Sequence, residues 1–346
     1  MIEQILTISR NTFTESIRQP IYLVLIGLGI LLLVLNPMIS AYTIDDDNVL
    51  MVDQGLSMIA LACLLLAAFT ATAVFAAELD SKTVLTVISK PVTRPAFVLG
   101  KFFGVAAAIA MAFVILTIVF LLTVRHGVMQ TASDHFDPPV LTFSVLAAVG
   151  AAVFATAANY FYRWVFTSTL SVTLAILLTI AYLLVLLISP QWQFQAISTE
   201  LLAYTENERN TNLPQLLIAL LLVFESAILF VAVAIAATTR LRQVMTLVVC
   251  AAFAVVGMLN HSIFAPWARD YTWQAVDGPV SAASWFFVRV FHGLMPDLQI
   301  LWIADALKQA HVVPTTYVLT VSTYCLLYVV ALLLLAVALF QSREVG

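Results

Sequence analysis

Charge is what this sequence has least of. Of its 346 residues only 10% are Asp, Glu, Lys or Arg, while 62% are apolar and the mean hydropathy is +1.04. A soluble domain carries about 25% charged residues. So few charges cannot cover a globule of this size, which excludes an ordinary water-soluble fold and leaves lipid as the solvent. Length alone would predict two soluble domains, and composition overrides that expectation. Cysteine is scarce too. Cys63, Cys250 and Cys325 all sit inside apolar runs with no CxxC pair, so they read as small buried residues and no disulfide framework is expected.

The signatures of common catalytic sites are missing. The phosphate-cradling pattern GxxxxGK[ST] is absent, because Gly100-Lys101 is followed by Phe102, so any ATP hydrolysis has to come from a partner. There is no HExxH and no GxSxG, and the five histidines show no metal-ligand spacing. No catalytic, cofactor-binding or metal residue is assigned, and no nucleic-acid partner is expected. Asp45, Asp46 and Asp47 read either as a cation site or as an acidic cap that sets orientation. They lack the glycine and distal glutamate of a calcium loop, which favours the cap.

What the chain does have is eight apolar runs, each near the roughly 20 residues a bilayer requires. They cover about 21–41, 54–77, 96–124, 140–161, 166–189, 214–237, 243–264 and 315–340. The expected fold is all-α: a polytopic membrane bundle of about eight transmembrane helices forming one domain over residues 1–346. Ahead of the first run, residues 1–19 place Ile2, Ile5, Leu6, Phe13 and Ile17 on one helical stripe, opposite Arg10, Asn11, Glu15 and Arg18. That pattern predicts an amphipathic helix in the membrane plane, or else one packed on a soluble partner. A cleavable signal peptide is not expected, since the first run is too long and lacks a small-x-small site.

Basic residues orient the spans. With the N-terminus inside, the inner set holds Arg10, Arg18, Lys82, Lys90, Arg94, Lys101, Arg163, Arg240, Arg242 and Arg343. The outer set holds Arg125, Arg209, Arg269, Arg289 and Lys308. Ten against five predicts both termini on the cytoplasmic side.

The densest charge lies between the second and third runs. Residues 78–101 read ELDSKTVLTVISKPVTRPAFVLGK. Within them 81–89 can form a short helix, with Val84, Leu85 and Ile88 on one face. Pro91 ends it, and Pro95 suits the first turn of the next span. Such a segment reads either as a docking element or as a solvated loop that holds the positive-inside orientation.

The run from Thr83 to Arg94, with Glu78 before it and Gly100-Lys101 after it, resembles the ABC-2 family of ABC-transporter permeases. In that family a glutamate closes the second span, a Thr-x-x-x-Leu/Ile-x-x-Pro-like run follows, and an arginine and a Gly-Lys open the third. Lys82 stands where many members carry glycine. The resemblance covers about two dozen residues. It implies that 78–95 holds a coupling helix seated on a separate ATPase subunit, with Glu78, Lys82, Thr83, Val84, Leu85, Ile88, Lys90, Pro91, Arg94 and Lys101 at or near the contact. It further implies an elbow helix over 1–19, two ATPase copies carrying the ATP and Mg, a second permease copy as homo- or heterodimer, and substrate export across a bacterial plasma (inner) membrane. The chain itself would be a transport subunit without enzymatic activity.

The connection over 265–314 carries Trp267, Trp273, Trp285, Phe286, Phe287, Phe291 and Trp302 between prolines. Segments 281–294 and 297–310 each predict a short helix with an aromatic face, read as external re-entrant elements or as a plain external cap. The stretch 292–302 is similar to a Pro-Asn-Leu-like segment of the same family, with Asp297 in place of the asparagine. Glu225 lies well inside the sixth run. It is a contact on the translocation path or a carboxylate hydrogen-bonded to a neighbouring helix. Gly100, Gly104 and Ala108, and again Ala147, Ala151 and Ala155, form stripes that allow close helix approach or merely reflect how common small residues are in spans. Tyr160, Phe161, Tyr162 and Trp164 around Arg163 read as an interfacial belt, and Asn36-Pro37 as a kink. Two other classes of function compete. An intramembrane enzyme would need paired polar groups facing one cavity, and an ion-coupled transporter would show an inverted repeat and more intramembrane charge.

Overall fold

The computed structural model describes residues 2–41, 47–80, 93–129, 136–196, 213–264, 279–309 and 311–341. Among them the structure is helical throughout, with no strand beyond a single bridge between Ile188 and Phe194. The first helix, α1, spans Ile2–Arg18. The next four are α2 (Pro20–Ser40), α3 (Asp47–Asp80), α4 (Arg94–His126) and α5 (Pro138–Tyr162). Then come α6 (Phe166–Leu187), α7 (Leu213–Thr238) and α8 (Gln243–Leu259), the last prolonged by a π turn over Asn260–Phe264. The short helices α9 (Pro279–Leu294) and α10 (Ala304–Lys308) precede the final α11 (Thr315–Gln341). Eight of these, α2 to α8 and α11, are long and apolar enough to cross a membrane, so the chain is an integral membrane protein built as a helix bundle.

The helix ends follow local chemistry. Pro20, Pro95 and Pro138 occupy first turns, where a missing N–H costs nothing. Asp137 caps α5, its Oδ1 accepting from the Val140 N–H at 3.2 Å. Gly127 closes α4 at φ 75°, and Arg163 closes α5 in the left-handed region at φ 57°. At that second turn the Asn159 side chain donates to the Trp164 carbonyl at 2.7 Å.

Burial sorts the helices into a centre and a shell. About two-thirds of the apolar windows of α3 and α4 are buried, and 61% of that of α7, against 22% for α5 and 17% for α11. In lipid, burial depends on close approach rather than on escape from water. Gly55 of α3 illustrates this, since a Cβ there would stand 2.1 Å from the Phe120 ring of α4.

Polar ties show which helix ends share a side. At one end Thr167 donates to the Arg18 carbonyl at 2.8 Å, and an Arg94 guanidinium nitrogen donates to the carbonyl of Gln341. At the opposite, far end Asn36 donates to Met51 at 2.7 Å, and Gln215 accepts from Val313 at 2.9 Å. The chain therefore alternates direction as the hydropathy pattern predicts. The first end carries Arg18, Arg94, Arg163, Arg240 and Arg242 and is called the basic end below.

The chain stays helical through Pro37 to Ser40. Two expectations change. The second span begins earlier, at Asp47, because the far-end ties extend its first turns into the bundle. And 297–310 is not one helix but a 3-10 turn over Gln299–Leu301 followed by α10. Besides its own short turns, the backbone there bonds to neighbouring helices. The Leu298 N–H donates to the Gly257 carbonyl at 3.1 Å, and Tyr317 Oη donates to the Ile300 carbonyl at 2.7 Å.

Candidate functional site

Residues 78–101 bridge the two most deeply buried spans. Glu78 lies in the last turn of α3, and Arg94 opens α4. Lys82, Thr83, Val84, Leu85, Ile88, Lys90 and Pro91 lie outside the described residues. Of the flanking cations, Arg94 is exposed and reaches the end of α11. Lys101 is placed differently: it is wholly buried, 3.9 Å from Glu15 of α1, with its ammonium 5.7 Å from the Phe97 ring centroid. Glu15 remains 30% exposed, so the pair joins a buried cation to a solvated carboxylate.

The same stretch seats α1. A Cβ at Gly100 would meet Ile8 at 2.7 Å, and one at Gly104 would meet the Ser9 carbonyl at 2.6 Å. Tyr22, at the start of α2, donates to the Ala108 carbonyl at 2.7 Å. The stripe Gly100, Gly104 and Ala108 thus serves close approach, and its partner is α1 together with the first turn of α2. The face of α1 that packs is lined by Ile5, Ile8, Thr12 and Ser16, whereas Ile2 and Leu6 of the apolar stripe are exposed. The other stripe, Ala147, Ala151 and Ala155, is buried in the seam with α6, where a Cβ at Gly150 would meet Leu177 at 3.4 Å.

Glu225 is half-buried at the seam between α7 and α11. Ser322 of α11 is hydrogen-bonded to its carboxylate, and its backbone carbonyl accepts from the Cys325 thiol at 3.4 Å. The other carboxylate oxygen, Oε2, is shielded and has no hydrogen-bond partner. Phe224 beside it packs on Phe113 of α4, with ring centroids 5.1 Å apart. Glu225 therefore points to a neighbouring span.

At the far end Arg125, the last arginine of α4, is buried and joins three helix ends. Its Nε donates to Asp137 Oδ2 at 3.1 Å and its Nη2 to the Ile188 carbonyl at 2.6 Å, while Nη1 donates to the Val185 carbonyl. The Asp137 N–H donates to His126 Nδ1 at 3.3 Å. The pattern of basic residues counted Arg125 only as an outer charge. The signal that could have found the clasp is an arginine in the last turn of one span and an aspartate directly before Pro-Pro in the next.

This clasp and the Thr167–Arg18 tie hold the α5–α6 hairpin at both ends, and between them α6 packs on α4 while α5 stands away from α2 and α4. The gap is a cavity of about 860 Å³. Val34 and Met38 of α2, Val119 of α4, Leu141 and Val145 of α5 and Leu174 of α6 are among its walls. No lining residue comes from α7 or α11, so Glu225 is not part of it.

A second polar array lines α11. Tyr328 Oη donates to the Gly293 carbonyl at 2.9 Å, Tyr324 Oη accepts from the Asp297 N–H at 2.8 Å, and Tyr317 holds Ile300. Asn260 of α8 donates to Met295 at 2.7 Å, while its Oδ1 pairs with His292 Nδ1 at 2.9 Å. His261 and Asp297 meet at 2.9 Å. From Tyr317 to Tyr328 is eleven residues, about 16 Å along a helix. The segment 293–300 therefore runs alongside α11, from its middle back towards its first turn. Among the described residues no group of three or more His, Cys, Asp or Glu could hold a metal ion.

No protein-family model matches this chain, and no curated protein matches it either.

Proposed function

We propose that the chain is the transmembrane permease subunit of an ABC-2 type ABC transporter, coupling ATP hydrolysis by a separate ATPase subunit to export of a substrate. The observation that carries the reading is the segment 78–101: its residues resemble the family's coupling region, and its two ends are mounted on α3 and α4. Those are the two most buried spans, so a push on 81–89 acts directly on the centre of the bundle. A coupling element mounted on peripheral helices would move only the shell.

In this reading the basic end is cytoplasmic, in a bacterial plasma membrane. Two ATPase subunits hold the ATP and Mg, a second permease copy completes the transporter, and the chain has no catalytic residue of its own. The helix α1 is the elbow, with Ile2 and Leu6 turned to lipid. The segment 279–301 is the external re-entrant element, supported by the tyrosine ladder that carries 293–300 to mid-depth of α11.

The test is Leu85→Asp combined with Ile88→Asp. Two carboxylates in a buried interface cost several kcal/mol, enough to abolish a micromolar complex worth about 8 kcal/mol. The expected product is inserted and folded but no longer copurifies with its ATPase. Unimpaired ATPase binding by this double variant would end the permease reading. Glu225→Gln asks a separate question: it should leave the fold intact, and unchanged transport would restrict Glu225 to a structural role.

A further inference from the structure

We infer that the cavity between the α5–α6 hairpin and the α2–α4 wall holds the acyl chains of a bilayer lipid, with the polar head at the far end beside His126. The inference requires the bundle to sit in a bilayer and does not depend on the transport reading. Arg125 fixes the hairpin at one end and Thr167 at the other, and between these ties α5 leaves the gap open.

An empty slot of about 860 Å³ would strip its walls of dispersion contacts, and water in it would find almost no partners. The hydroxyls of Thr123 and Ser144, which do face the cavity, are already bonded to Phe120 at 2.7 Å and Val140 at 2.6 Å. The occupant must therefore be apolar over most of its length.

Shape selects among apolar occupants. Leu141, Val145, Ala148 and Ala152 present one face of α5 to the cavity, while Ala147, Ala151 and Ala155 present another to α6. From Leu141 to Ala152 the lined length is about 16 Å, which matches the roughly 15 Å hydrocarbon depth of one leaflet. The polar lining residues, Thr123, His126 and Ser144, all lie towards the far end. A groove of one-leaflet depth, polar at a single end and walled by four helices, complements lipid acyl chains better than the broad face of a second copy.

The experiment reconstitutes the full chain in nanodiscs containing phosphatidylcholine with a photoactivatable diazirine in one tail, then maps adducts by peptide mass spectrometry. Adducts at Val34, Leu141, Val145 and Ala148 should exceed those at Leu326 and Leu334, which face outward on α11. Ala148→Trp fills the slot from α5 and should cut the groove adducts about tenfold, equivalent to about 1.4 kcal/mol, with α11 labelling unchanged. If that variant does not fold, Val34→Trp fills the same space from α2. Groove labelling no stronger than on α11, or unaffected by either tryptophan, overturns the inference. So does a disulfide between two copies carrying Val145→Cys, which would mean that a second copy covers the groove.

Discussion

Two cations are buried on the same helix, at opposite ends of α4, and they are held in different ways. Lys101 lies 3.9 Å from the Glu15 carboxylate and faces a phenyl ring, and that carboxylate is still partly in water. Arg125 meets a carboxylate at 3.1 Å and two backbone carbonyls, and these come from the ends of two other helices. The difference follows from side-chain chemistry. An ammonium is a compact point charge whose three donors rotate freely, whereas a guanidinium fork satisfies several acceptors in fixed directions. Lys101 therefore ties α1 to α4, while Arg125 ties α4, α5 and α6 into one far-end unit. A cation's position in sequence, one just after residues 78–95 and one at the last turn of α4, does not reveal which of them organises the fold.

The contrast is broken most directly by removing Arg125. Arg125→Ala leaves the Asp137 carboxylate and two carbonyls buried without their donor, a loss of about 3–5 kcal/mol. Thermal unfolding in detergent should register it, and Arg125→Lys should recover only part. Lys101→Met should cost about 1 kcal/mol or less, because Glu15 retains solvent. Equal destabilisation by the two removals would mean that the fork geometry carries no special weight.

The α1 side of the contrast is sharpened by Gly104→Val. The new side chain meets the Ser9 backbone carbonyl, which can retreat only if α1 moves, at a cost of about 1–3 kcal/mol. Limited proteolysis within α1 should accelerate. Gly27→Val, at a site with nothing within 4 Å, should not change it. Similar behaviour of the two variants would show that α1 is not seated on the glycine stripe.

The smallest effect concerns a cation that is not buried. Lys308 of α10 is 38% exposed and sits 2.9 Å from Asp53 of α3. The hydrogen bond to Asp53 raises its pKa above the ordinary lysine value. The fold thus favours the protonated form, so the tie is fully present below about 10.4 and is lost as pH rises through the raised value. Lys308→Ala should cost only about 0.2–1 kcal/mol at neutral pH. Hydrogen exchange in α10 should stay protected relative to Lys308→Ala between about pH 7 and 9 and converge with it above about 10.4. Convergence already within the lower window would remove the Asp53 tie as the anchor of α10.

Much of the bundle was legible in the residues. Hydropathy and span length are local quantities, so the eight crossings, their alternating direction and most boundaries follow from them. Pro95 takes the first turn of α4, as its chemistry predicts. The candidate sites were legible in part. Glu225 announced itself as a carboxylate deep in an apolar run, and the glycine stripe announced a close approach. Neither named its partner. That Ser322 faces Glu225, or that the stripe seats α1 through Ile5, Ile8 and Thr12 while Ile2 and Leu6 stay exposed, depends on which helices adjoin.

The sequence by itself thus determined the eight helices, among the described residues, that are long and apolar enough to cross a membrane and where most of them begin and end, because the transfer of apolar helices out of water is paid for segment by segment. The tertiary structure alone decided that α3, α4 and α7 form the centre, that Arg125 clasps three helices and that the α5–α6 hairpin stands off from a groove. Once the helices share an apolar solvent, hydrophobicity no longer selects neighbours. Small-residue contacts and a few satisfied polar groups do, and both exist only between segments far apart in the chain.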